Sequence, residues 1–145
     1  MAKLGSRAGW SGNYCHDLTA ATSLTPGDSG KVFFLNSSSE FTTTLPSVAD
    51  AGAGFHCKFI VKAAPSGAAY VVTEKTSADT NVIITNGINE LEVDTNDDGP
   101  YNAGHTTITF ADGVAVAGDW IELLCDGTNW YATGQTKADG GITLA

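Results

Sequence analysis

An all-β fold, a single antiparallel β-sandwich or jelly-roll-like barrel with an extended N-terminal arm, is the class that this 145-residue sequence predicts. Three observations predict it. Residues 31–133 break into short stretches rich in β-branched and aromatic side chains, spaced roughly 8–12 residues apart. Apolar residues at i, i+3, i+4 and i+7 are sustained nowhere, so helix has little support. Gly, Asp, Asn and Pro separate the stretches, which is the chemistry of turns.

Residues 1–24 carry Gly, Ser and isolated aromatics without a sustained period and read as the arm. Residues 25–134 read as the body and residues 135–145 as a tail. At the start of the body, Pro26-Gly27-Asp28 reads as a turn that enters a strand at Lys31. The run from Phe55 to Lys62 alternates: Phe55, Cys57, Phe59 and Val61 point one way, His56, Lys58, Ile60 and Lys62 the other. In residues 82–93, Asn86-Gly87 reads as a type I′ hairpin turn, because both residues tolerate positive φ. Residues 106–110 alternate with Ile108 and Phe110 inward.

In residues 119–133, Asp126-Gly127 reads as a second two-residue turn. Such a turn pairs Cys125 with Thr128, Leu123 with Trp130 and Ile121 with Ala132, and that apolar face is expected in the core. The opposite face holds Trp120, Glu122, Leu124, Asn129 and Tyr131 and reads as an interface, with Trp120, Leu124 and Tyr131 as oligomer contacts. A faint internal echo runs alongside. Thr44-Leu-Pro46, a loop and a strand from Gly54 parallel Thr109-Phe-Ala111, a loop and a strand from Gly118.

Composition narrows the function. Apolar residues make up 42%, which excludes a disordered chain, while charged residues make up only 16%. Seven basic against sixteen acidic residues give a net charge of −9, and phosphate backbones repel such a chain, so nucleic-acid binding is not expected. Residues 74–126 hold eleven of the acidic side chains and one basic, Lys75, whereas the first twelve residues hold only Lys3 and Arg7. A weakly basic arm on an acidic body suits docking onto another protein. Cys15, Cys57 and Cys125 are odd in number and scattered, which fits a reducing cytosol better than a disulfide framework. No apolar h-region follows the first charges, and the longest apolar runs are a few residues, so neither a secretory signal nor a membrane span is expected.

Each candidate for chemistry has a plainer explanation. Gly27-Asp28-Ser29-Gly30 imitates a serine-protease nucleophile loop, but nothing marks a converging base histidine and buried aspartate, and a turn suffices. Gly30-Lys31 fails as a phosphate loop, because Thr25 stands where Gly is required and a strand follows. Asp94-Thr-Asn-Asp-Asp-Gly99 matches the first half of an EF-hand loop, with Asp94, Asn96 and Asp98 as calcium candidates. Its twelfth position is His105 instead of Glu, and an acidic turn without metal is the expectation. Cys15-His16 and His56-Cys57 hold zinc-type donors, but strand neighbours point to opposite faces. No enzymatic activity and no cofactor is expected.

Four segments together resemble a family. The run Leu24-Thr-Pro-Gly-Asp-Ser-Gly-Lys-Val-Phe-Phe-Leu35, then Thr43-Thr-Leu-Pro46, Gly118-Asp-Trp-Ile-Glu-Leu123 and Asp126-Gly-Thr-Asn-Trp-Tyr-Ala-Thr-Gly134, is similar to small virion proteins of tailed bacteriophages. These include head decoration (cement) proteins and β-rich modules of tail fibres, and the resemblance covers roughly residues 22–144. It implies a β-sandwich or jelly-roll-like body, assembled as a homotrimer, that binds the major capsid protein on the outside of the head and is made in the host cytoplasm. It supplies no catalytic residues. A chain running from Met1 to Ala145 is expected to stand alone, which favours cement over a fibre module, with a receptor- or carbohydrate-binding module as a further alternative. Arg7, Trp10 and Tyr14 in the arm are the expected capsid contacts.

Overall fold

A computed structural model of the chain describes residues 14–92 and 102–145. Two β-sheets pack face to face. In chain order the strands are β1 (Cys15–Leu18), β2 (Thr22–Ser23), β3 (Val32–Leu35), β4 (Phe41–Thr44), β5 (Ala53–Val61), β6 (Tyr70–Thr73), β7 (Ile83–Glu90), β8 (Asn102–His105), β9 (Thr107–Phe110), β10 (Trp120–Asp126), β11 (Trp130–Thr136) and β12 (Ile142–Leu144). One sheet has the order β1-β3-β5-β10-β11-β7-β8 and the other β12-β9-β6-β4-β2. The fold is the all-β sandwich that the strand spacing predicts.

The sheets are mixed where antiparallel sheets are expected. The chain crosses to the opposite sheet at each step from β1 to β6, so it winds as a flat coil. Successive strands in one sheet then run the same way: β1, β3 and β5 are parallel, and so are β2, β4 and β6. β7 also lies parallel to β11. Side chains alternate with a period of two in parallel and antiparallel strands alike, so the pattern carries no direction. The crossover from β4 to β5 is a short helix, α1 (Val48–Ala51), capped by Ser47, whose Oγ accepts from the Asp50 N–H at 3.1 Å. The two segments of the internal echo take like places: β4–β5 and β9–β10 each pass from the smaller sheet to the larger.

The core lies between the sheets, where Trp130, Tyr70, Phe59, Phe110 and Ile121 are fully buried. Phe55 meets Trp130 edge-on with centroids 5.3 Å apart, and Phe33 stacks on Phe59 at 5.3 Å. Such aromatic pairs add about 0.5–1.5 kcal/mol to the gain from burial alone. Phe55, Cys57, Phe59, Val61, Ile108 and Phe110 all face inward, as their alternation predicts.

Three readings of the sequence are corrected. Asn86-Gly87 does not turn a hairpin: β7 runs through it, and the pair forms a β-bulge opposite the single residue Thr133 of β11. The Thr85 hydroxyl replaces the missing ladder bonds, accepting from the Gly87 N–H at 3.1 Å and donating to the Ala132 carbonyl at 2.8 Å. Between the last β10–β11 pair, Cys125 and Trp130, lie four residues instead of two, and the Asp126 carboxylate accepts from the N–H groups of Thr128 and Asn129, both at 2.7 Å. Leu123 accordingly pairs with Ala132. The shift is two residues, so every side chain keeps its predicted face. The arm and tail boundaries also move. β1 and β2 lie within residues 1–24, and β12, within residues 135–145, pairs with β9, so both segments contribute to the sandwich.

Candidate interaction surface

The outer face of the larger sheet is built row by row from the residues that alternate with the core. One row is Phe34, Ile60, Trp120 and Gln135; the next is Val32, Lys58, Glu122 and Thr133; a third is His56, Leu124, Tyr131 and Ile84. Leu124 and Tyr131 are direct cross-strand partners, 50% and 42% exposed. Trp120 is partly buried on the same face, with the Lys58 ammonium 3.9 Å from its ring centroid. The structure thus brings together the three residues expected to form an oligomer contact. It adds Val32, Phe34, Ile60 and Ile84 around them, all partly exposed. The sequence left the split within Val32-Phe-Phe-Leu35 unread, since four consecutive apolar residues hide which two face out.

Electrostatics pin the rim of this face. Lys62 pairs with Asp17, whose carboxyl the Lys62 ammonium and the Asn36 amide hold below its usual range. The N–H groups of Asn129 and Thr128 lower Asp126, with a further bond from the Tyr131 hydroxyl at 3.1 Å. That same carboxylate pushes the Tyr131 phenol above its ordinary value.

The remaining candidates fall as follows. Tyr14 is 54% exposed at the outer edge of the larger sheet, and its carbonyl accepts from the Val32 N–H at 2.8 Å. Arg7 and Trp10 lie outside the described residues, as do Asp94, Asn96 and Asp98. His105 belongs to β8, opposite Ile83. Gly27-Asp28-Ser29-Gly30 is a turn: the Thr25 N–H and hydroxyl donate to Asp28 at 2.7 and 2.9 Å, and Lys31 pairs with it at 2.7 Å. Ser29 and His56 do meet, but through the backbone. The His56 N–H donates to Ser29 Oγ at 3.3 Å, while the ring Nδ1 lies 3.1 Å from the Gly54 carbonyl. That contact provides no proton relay from the serine to the imidazole.

Cys57 is buried while its neighbour His56 is exposed, so that pair splits across the sheet. Among the described residues, no group of three or more His, Cys, Asp or Glu side chains gathers in metal-binding range. The buried carboxylates hold backbone instead. Asp119 accepts from the N–H groups of Val116 and Lys137, and Glu74 from those of Asn81 and Val82. An open recess of about 530 Å³ is lined by Leu91, Glu92, Val116, Lys137 and Ala138. Among the described residues no helix is long and apolar enough to cross a membrane. Compared with protein-family models, curated proteins and solved structures, the chain matches none of them.

Proposed function

We propose that the protein is a non-enzymatic capsid decoration (cement) protein of a tailed bacteriophage, bound as a homotrimer to the outer surface of the head. The observation that carries this reading is the outer face of the larger sheet. Leu124 and Tyr131 are paired in solvent, two rows from the partly buried Phe34, Ile60 and Trp120, and exposed apolar side chains gathered on one sheet face suit a contact site. Two of the segments that resemble phage virion proteins, residues 118–123 and 126–134, build β10, β11 and the loop between them at the centre of that face.

The physical case is one of linkage. Genome packing loads the shell outward, and each seam between subunits resists only weakly. A ligand that binds the assembled lattice and not free subunits stabilises the lattice by mass action at every site. A trimer adds effective concentration, so modest contact per subunit is enough. In this reading Trp120, Leu124 and Tyr131 serve the trimer, while Arg7, Trp10 and Tyr14 reach the major capsid protein.

The alternative is a tail-fibre or carbohydrate-binding module, in which Trp120 and Tyr131 would stack on sugars. Lys58 already covers one face of the Trp120 indole, which favours a protein contact over a sugar platform. The experiment that separates the two offers the purified protein to phage heads stripped of their decoration and, in parallel, to host cells and glycans. Binding to stripped heads with added resistance to heat or chelation supports cement. Binding to cells or glycans, with stripped heads left unprotected, overturns it.

A further inference from the structure

We propose that Asn86 is a site of spontaneous covalent ageing, converting through a succinimide to aspartate and isoaspartate, and that the Thr85 hydroxyl is its brake. Asn86-Gly87 is the one Asn-Gly pair in the sequence. Glycine after asparagine leaves the backbone nitrogen open to the side chain, since no Cβ shields it. The structure adds three features. Asn86 is exposed on the bulge of β7, and no hydrogen bond among the described residues holds its carboxamide. Gly87 has φ +122°, a conformation that other residues rarely adopt. The register shift takes the Gly87 N–H out of the ladder with β11, and it donates instead to Thr85 Oγ1 at 3.1 Å.

The chemistry needs only water. The Gly87 nitrogen loses its proton to solvent base and attacks Cγ of Asn86, forming a C–N bond and closing a five-membered ring. The side-chain nitrogen then leaves as ammonia. Water opens the resulting imide at either carbonyl, giving aspartate or isoaspartate. While the Gly87 N–H donates to Thr85 Oγ1, the bond withholds its proton from solvent base. Thr85 is itself fixed by its bond to the Ala132 carbonyl, so the brake is part of the sheet.

Two Asp-Gly pairs are held more firmly. At Asp126-Gly127 the carboxylate is occupied by the Thr128 and Asn129 N–H groups, and at Asp112-Gly113 by the Gly67 N–H. Asn86 lies on the outward side of β7, two residues from Ile84 and so close to Tyr131. Its conversion places a new carboxylate at the margin of the outer face.

The test is peptide mapping by mass spectrometry, with isoaspartate detection, on full-length protein held warm at mildly alkaline pH. The expected result is amide-to-acid conversion at Asn86 ahead of Asn36, Asn81, Asn89 and Asn129. Thr85→Val should speed it severalfold, while Thr85→Ser, which keeps the acceptor, should stay near the wild-type rate. Circular dichroism establishes that each variant is folded. If Thr85→Val unfolds, the comparison of wild type with Thr85→Ser and the ranking of the asparagines still decide. Conversion at another of these asparagines first, or Thr85→Ser ageing much faster than wild type, would overturn the proposal. So would a folded Thr85→Val protein that ages at the wild-type rate.

Discussion

Cys125 faces Trp130 across β10 and β11, and both side chains are buried between the sheets. The indole ends against the edge of Phe55 and is fully enclosed. Trp130→Ala should therefore leave a cavity and cost about 3–5 kcal/mol. Thermal unfolding measures this, and an unchanged melting temperature would contradict the enclosure.

Asp126 links the loop to the outer face. Its carboxyl is depressed by the Asn129 and Thr128 N–H groups, so its contribution to stability is complete above the ordinary carboxylate range and fades as pH falls through its own lower value. The Tyr131 phenol is raised by the same group, so its contribution is complete below the ordinary tyrosine value and is lost as pH rises through the raised one. Asp126→Asn should bring the Tyr131 titration back toward that of an ordinary tyrosine. Ultraviolet titration of wild type and variant follows the shift directly.

The three thiols should react unequally. Cys15 is exposed on β1, whereas Cys57 and Cys125 are buried, and burial pushes both buried thiols up. Thiolate is the reactive form, so native protein should show one fast thiol toward a water-soluble disulfide reagent and Cys15→Ser should show none. Fast labelling that survives in Cys15→Ser would place a buried cysteine within solvent reach.

Assembly tests the outer face. Leu124→Lys puts a charge opposite Tyr131 while leaving the core untouched, so the fold should persist and the trimer should dissociate. Light scattering reads the mass of each. A wild-type monomer at micromolar concentration would remove the trimer from the proposed function.

Deleting residues 1–13 should leave the sandwich folded and weaken binding to stripped heads. Tyr14 must stay, because its carbonyl anchors the Val32 N–H. Equal binding by truncated and full-length chains, compared by sedimentation with heads, would take the capsid contact away from Arg7 and Trp10.

The sequence carried the faces of the sheets further than their connections. Phe55 to Val61 and Trp120 to Cys125 alternate cleanly because one side of each strand meets the core and the other meets solvent. Trp120, Leu124 and Tyr131 were legible for that reason. Loop chemistry was harder. Asn-Gly has the same backbone freedom in a bulge as in a hairpin, and only the partner strand β11 decides between them. Asp126-Gly127 carries a two-residue signal, yet the loop is longer, with the Asp126 carboxylate bound to the Thr128 and Asn129 N–H groups. Strand direction was not legible, because the coil from β1 to β6 is set by where the chain crosses between sheets.

That coil also determines how the body bears force. β1 lies parallel to β3 along Cys15–Leu18, and four residue pairs join them. A pull at Tyr14 along the strand axis loads those pairs side by side, in shear, instead of opening them one after another like a zip. Because parallel bonds are evenly spaced, no pair takes the load first. β1 therefore yields as a block, and whatever tension reaches Tyr14 passes through β3 and β5 into the centre of the larger sheet.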